Sequence, residues 1–244
     1  MAYQLDFAPV LAQADRFAAG ALMTLELSFT AIVLGTVLGT AGAIAATYGS
    51  PWLKRATAAY VEIIRNTPFL VQLFLLFFGL PTLGLQIDAV SAALLAMTVN
   101  LGAYATEIIR AGVQSIHRTQ TEAAAALAMT RWQTIRHVVL IPAFEKVYPA
   151  LASQFTLMML TSSVVSTVSV EELTAMASVI DSQTFRTFES YLVVMVMYIV
   201  LALLLRGVFY AIGLFVFRRK RRIDASKRLS YAPRQGDAAP GVSP

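Results

Sequence analysis

Five stretches of the chain are apolar for long enough to cross a bilayer, and most of the charge falls between them. A hydrocarbon core about 30 Å thick takes roughly 20 residues of helix. Runs at about 22–48, 57–80, 87–109, 144–168 and 191–217 meet that length. On the first, Gly35, Gly39 and Ala43 recur four apart, a small-residue face that lets another helix approach closely. Ahead of it, Phe7, Val10, Leu11, Ala14 and Phe17 recur at helical spacing, which predicts a short amphipathic helix at a membrane surface within residues 1–19. Asp6, Asp15 and Arg16 do not make the basic start of a cleavable signal, so none is expected.

The segments between the runs alternate in charge. Lys54 and Arg55 follow the first run; Arg110, Arg118, Arg131, Arg136 and Lys146 follow the third; the last is followed by "RRKRR" at 218–222. The intervening segments hold Asp88 in one case, and Glu171, Glu172, Asp181 and Glu189 against Arg186 in the other. Basic segments stay in the cytoplasm, so the N-terminus is expected outside and the C-terminus inside, which five spans allow. One passage then stands out. "TQTEAAAALAMTRWQTIRHVVLIPA", residues 119–143, is alanine-rich, basic and amphipathic, and lies within the longest cytoplasmic segment.

Polar positions inside the runs need shelter, because an unpartnered polar group in hydrocarbon costs free energy. "EIIR" occurs twice, as Glu62–Arg65 and Glu107–Arg110, with acid and base three apart and able to pair on one helix face. Arg65 is expected inside the boundary, snorkelling or paired with Glu62. Pro68 is expected to bend its helix and free backbone carbonyls nearby. Gln72, Asn100, Tyr104 and Gln154 should face protein or a wet cavity, and so should Arg206. Thr161, Ser162 and the other hydroxyls of the fourth run either line a path or bond their own helix one turn back.

Composition narrows the function. The chain is 57% hydrophobic and 14% charged, with mean hydropathy +0.67 and pI near 9.6. In a membrane protein that basic excess reflects cytoplasmic Lys and Arg, so no nucleic-acid partner is expected. Cysteine is absent, which excludes disulfides and thiolate metal sites. His117 and His137 stand 20 apart without metal-ligand spacing, so no metal is expected. No G-x-x-x-x-G-K-[ST] loop, nucleophile elbow or dinucleotide fingerprint occurs, so no catalytic residue and no cofactor are expected. Uphill transport by such a chain would draw on an ion gradient or on another chain.

"EAAAALAMTRWQTIRHVVLIPA" resembles the cytoplasmic-loop motif of binding-protein-dependent ABC importer permeases. "YVEIIRNTPFLVQLFLLFFGLP" at 60–81, "NLGAYATEIIRAGVQSIHRTQTEAA" at 100–124 and "TFRTFESY" at 184–191 resemble its polar amino acid subfamily. The likeness covers about 20–218. It implies an all-α membrane protein of the type I importer permease fold, with five transmembrane helices and a coupling loop at about 114–142. It implies bacterial inner-membrane localisation, a pair of ATPase subunits, an extracytoplasmic solute-binding protein docking near 81–90 and 169–190, and a second permease. It also assigns Glu122, Ala123, Ala124, Leu127, Ala128 and Arg131 to the ATPase contact; as polar groups on spans two to four, Gln72, Asn100, Tyr104, Gln154, Thr161 and Ser162 are candidates for the substrate path.

The chain departs from the family pattern in places. Ala128 replaces a glycine; if that position needs a positive φ, its Cβ costs about 1–2 kcal/mol and the bend should reshape or move toward Met129 and Thr130. Pro142 comes one place late. The fourth run reads Leu160-Thr161-Ser162-Ser163-Val164 where the family has Lys-Asp-Thr-Ser-Leu, and Ser153-Gln154 where it has Asn-Glu. A sibling permease is therefore expected rather than an identical one, since a better-matched partner makes such changes tolerable. The rival reading is an ion-coupled secondary transporter using Glu62 and Glu107, which the lack of an evident inverted repeat disfavours. Residues 219–244 are expected to be a basic tail held at anionic lipid, then a Pro/Gly/Ser-rich disordered end.

Overall fold

In the computed structural model residues 4–216 are described, and they are helical nearly throughout. The elements are α1 (Ala8–Leu11), α2 (Ala14–Tyr48), α3 (Pro51–Arg65), α4 (Phe69–Thr82), α5 (Ala89–Gln114), α6 (Arg118–Ala126), α7 (Arg131–Gln133), α8 (Ile141–Thr161), α9 (Leu173–Thr184) and α10 (Thr187–Val216). A π-helix, Thr134–Leu140, leads into α8, and a 3₁₀ turn, Ser162–Val168, continues it. Four segments are long and apolar enough to cross a membrane alone: α2, α5, Arg131–Val168 and α10. The fifth predicted span is a broken one, α3 and α4 meeting at 105°.

Pro68 is the cause of the break. It N-caps α4 with φ −61° and ψ 139° and biases the preceding residue away from the helical region. Side chains around the break bond the last carbonyls of α3. Asn66 Nδ2 donates to Glu62 O at 2.8 Å, Thr67 Oγ1 to Ile63 O at 2.9 Å, and Gln72 Nε2 to Ile64 O at 2.7 Å.

Contacts divide the chain after Arg206. In the first unit α5 is the central helix, with Met97, Leu101, Ala105 and Ile109 fully buried. The small-residue face of α2 packs on it as expected. A Cβ built on Gly35 would meet Leu101 at 2.9 Å, and one on Gly39 would lie 2.4 Å from the Ala105 Cβ, while Ala43 is fully buried. Asp88 N-caps α5, accepting from the Ser91 amide at 2.9 Å and the Ser91 hydroxyl at 2.6 Å, which holds its carboxyl below the usual range. Of the second unit, the last turns of α10 are described and are exposed at Val208, Tyr210 and Phe215.

The N-terminal segment differs from the expected surface helix. Its helical part is the four-residue α1 followed directly by α2, and part of its apolar face lies on protein: Val10 and Phe17 are buried with Leu173, Ala177, Ile180 and Val194, while Leu11 and Ala14 are exposed. Polar contacts fasten it there. Asp6 N–H donates to Glu189 Oε1 at 3.0 Å, Arg186 Nη1 to Gln4 O at 2.9 Å and Arg16 Nη1 to Gln183 Oε1 at 2.9 Å. Glu172, which sequence places in an acidic loop, is fully buried beside this cluster. It caps α9 through the Ala175 amide at 2.9 Å and accepts from Tyr198 OH at 2.6 Å and Thr24 Oγ1 at 3.3 Å, joining α9 to α2 and α10. Burial pushes this carboxyl above its usual range, against hydrogen bonds from Tyr198 and backbone amides that pull it down. The "RRKRR" run and the tail at 219–244 lie outside the described residues.

Candidate functional site

Two sites emerge, one on the turn after α6 and one that runs from a buried amide pair to an open cavity lined by α2, α3 and α5. The surface site is the turn between α6 and α7. His117 N-caps α6, whose exposed Arg118 and Glu122 form an i,i+4 pair at 3.1 Å. Such an exposed pair contributes little, so Glu122 stays available to a stronger partner. Ala124 is buried and seats the helix, whereas Ala123, Ala125, Ala126 and Leu127 are exposed.

The helix ends in a Schellman motif: Met129 N–H donates to Ala124 O at 3.1 Å and Ala128 N–H to Ala125 O at 2.9 Å. That motif needs a left-handed residue where Ala128 stands, and Ala128 adopts φ 55°. The bend therefore keeps its place, with alanine accepting the strained conformation, rather than moving toward Met129 and Thr130. Thr130 then opens α7 with a capping box, accepting from Gln133 N–H at 3.3 Å while Gln133 Oε1 accepts from Thr130 N–H at 2.8 Å. The π-helix that follows takes more residues per turn than an α-helix, which absorbs the late position of Pro142. At the base of this element Lys146 Nζ donates to Ser115 O at 2.8 Å, closing the end of α5 against the start of α8.

The result is a short, stiffly capped projection with apolar side chains turned outward: Leu127 is 78% and Trp132 60% exposed. Arg131 is exposed beside them. Trp132 was not among the residues selected from sequence. The available signal was a tryptophan, one of two in the chain, set among polar and basic neighbours.

The interior site begins at Gln72. This nearly buried amide donates to Ile64 O at 2.7 Å, Thr67 O at 3.1 Å and Thr67 Oγ1 at 2.8 Å, and its Oε1 accepts from Asn100 Nδ2 at 2.9 Å. Bent-helix carbonyls thus hold Gln72, and Gln72 holds Asn100. Tyr104 follows Asn100 one turn along the same face of α5. It lines a cavity of about 550 Å³ with Lys54, Thr57, Glu62, Arg65, Glu107 and Arg110.

The two "EIIR" motifs behave differently there. Arg110 pairs with Glu107 as expected, through Nε and Nη2 each at 2.8 Å. Arg65 does not pair with Glu62. Its guanidinium lies 5.3 Å from the Tyr104 ring centroid and its Nη1 4.0 Å from Glu107 Oε2.

No hydrogen bond among the described residues joins Gln154, Thr161 or Ser162 to the Gln72–Asn100 pair. Gln154 is half-buried, Thr161 Oγ1 donates to Leu157 O at 2.8 Å, and Ser162 Oγ to Met159 O at 2.6 Å. Thr156, Ser163, Ser166 and Thr167 likewise donate to carbonyls of their own segment three or four residues back. Arg206 is exposed on α10.

Known proteins resemble this arrangement. The family described as "Binding-protein-dependent transport system inner membrane component" matches residues 38–222. The glutamine transport system permease protein of Escherichia coli strain K12 is 33% identical over 221 residues, covering 90% of this chain and 97% of that one. A probable glutamine ABC transporter permease protein of Bacillus subtilis strain 168 is 36% identical over 180 residues, 74% of this chain and 83% of that one. Among solved structures, an amino acid ABC transporter with histidines superposes with TM-score 0.79 at 34% identity, covering 86% of this chain and 99% of that one. An inward-facing methionine ABC transporter shares the fold, with TM-score 0.71 at 20% identity over 82% of this chain and 96% of that one.

Proposed function

Because the chain belongs to the family of binding-protein-dependent transport system inner membrane components, we propose that it is the membrane subunit of an ATP-driven importer for a polar amino acid. The substrate class comes from similar proteins, which are named for glutamine or for amino acids. The observation that carries the reading is the α6–α7 projection. Leu127 and Trp132 are large apolar groups held out by rigid caps, and such groups on a firm scaffold are what a partner protein buries. Glu122, Ala123, Leu127, Ala128 and Arg131, which are exposed, form the contact for a separate ATPase chain that hydrolyses ATP; Ala124, expected in that contact from sequence, is buried and seats the helix beneath it. Closure of two ATPase subunits draws two such projections together and turns the helix bundle from inward- to outward-facing.

In this reading the ends of α2, α3 and α8 nearest the projection face the cytoplasm, as the charge bias assigns them, and the N-terminus lies outside. A solute-binding protein docks over 81–90 and 169–190, and a sibling permease completes the pore. Gln72, Asn100 and Tyr104 line the path. The hydroxyls of Thr161 and Ser162 already donate to their own helix and offer a passing solute their lone pairs.

Reconstitution tests this. The permease, its ATPase and its binding protein in proteoliposomes should accumulate radiolabelled L-glutamine or another polar amino acid when ATP is enclosed, and continue to do so with an uncoupler present. Uptake that an uncoupler abolishes, without a requirement for ATP, would favour the ion-coupled rival.

A further inference from the structure

The cavity between α3 and α5 carries fixed charges of both signs, and they are not equally engaged. Its volume, about 550 Å³, lies within the range that holds small ligands. Arg110 and Glu107 are locked together by two 2.8 Å hydrogen bonds. Arg65, by contrast, rests on the face of Tyr104, and its nearest carboxylate oxygen is 4.0 Å away and already held by Arg110. Glu62 makes no ion pair among the described residues. One turn of α3 therefore offers the same cavity a guanidinium fork and a carboxylate, three residues apart and not spent on each other. Counting Lys54, Arg65 and Arg110 against Glu62 and Glu107, the lining has one positive charge in excess.

We propose that this cavity is a zwitterion site, in which Arg65 holds the α-carboxylate and Glu62 the α-ammonium of the transported amino acid. The inference rests on the amino acid reading above. A guanidinium offers two parallel N–H donors that match a carboxylate, and the ring of Tyr104 lies 5.3 Å from its centre. Glu62 supplies the acceptor an ammonium needs. The site continues the polar column of α5, since Asn100, Tyr104 and Glu107 follow one another at four and three residues. A solute leaving the Gln72–Asn100 pair toward the cytoplasm meets this cavity next. It reads groups that every α-amino acid shares, so it holds the solute during exit without selecting among side chains.

The complete importer, reconstituted with uptake of radiolabelled L-glutamine, L-arginine and L-aspartate, first shows which is carried. That amino acid is then bound at equilibrium to the permease–ATPase complex without binding protein, in competition with its unlabelled free acid, its α-amide and its N-acetyl derivative. Wild type should prefer the free acid to both derivatives by about tenfold or more, the range of charge-assisted hydrogen bonds. Arg65→Gln should erase the preference over the α-amide and keep the preference over the N-acetyl form; Glu62→Gln should do the reverse. If Arg65→Gln loses all binding, Arg65→Lys decides: a partial preference for the acid supports the site, and an unchanged or absent one overturns it. Uptake by wild type with both preferences intact in both variants overturns the zwitterion site alone. If none of the three is carried, the remaining polar amino acids are tried in turn, and no uptake of any of them by wild type overturns the amino acid reading, and the site with it.

Discussion

Ala128 shows what a single residue can and cannot reveal. The need for a bend after α6 was legible from the family's motif, and so was the cost of a Cβ there. That alanine would nonetheless take φ 55° was not legible, because the choice depends on the Schellman hydrogen bonds and the Thr130 capping box on either side. Ala128→Gly should relieve about 1 kcal/mol, less the extra freedom glycine gives the unfolded chain. Slower amide exchange across Leu127–Thr130, with transport unchanged, is the expected result.

Glu172 was legible as a charge and not as a buried one, since its shelter comes from Thr24 and Tyr198, distant in sequence. It lies between the membrane-spanning segments, and burial raises its pKa above the ordinary 4.5. A native carboxyl that holds its proton more tightly than the unfolded chain loses stability as pH rises from that ordinary value through the native one. Glu172→Gln removes the loss and keeps the α9 cap. The apparent Tm of Glu172→Gln minus that of wild type should therefore grow as pH rises, and a difference that shrinks would contradict the assignment.

At the scale of elements, hydropathy located all five spans, because a run long enough to cross a bilayer is a local property. It missed the break between α3 and α4 in degree: Pro68 signals a bend, but the 105° angle is set by what Gln72, Asn66 and Thr67 do with the last carbonyls of α3. For the N-terminal segment the amphipathic pattern is real, yet periodicity does not show that Val10 and Phe17 meet α9 and α10, contacts that the Asp6, Arg186 and Glu189 interactions fasten. A close helix contact was legible from the spacing of Gly35, Gly39 and Ala43, though not that α5 makes it. Gly39→Leu should prise it apart, since even a Cβ there falls 2.4 Å from the Ala105 Cβ and 3.0 Å from backbone. The expected cost is about 1–3 kcal/mol, read as a lower Tm of the purified protein. Gly79→Leu, where a Cβ meets nothing within 4 Å, should leave that Tm unchanged.

For the molecule as a whole, the proposed function makes one mechanical claim: a capped projection with an outward apolar face, joined to spans at both ends, would move the helices around the Gln72–Asn100 pair and the charged cavity. The exposed turn after α6 was legible in sequence, because the alanine-rich, amphipathic motif is written locally. The cavity was not, because Arg65, Tyr104 and Glu107 meet only when α3 folds back on α5.

The chain has no cysteine, so single cysteines report cleanly. The most direct measurement is the reactivity of Leu127→Cys toward a membrane-impermeant maleimide, from each side of the membrane, with and without the ATPase. Labelling from the cytoplasmic side alone, suppressed when the ATPase assembles, is the predicted result. Labelling from the outer side, or reactivity that the ATPase leaves unchanged in a complex competent for transport, would contradict it.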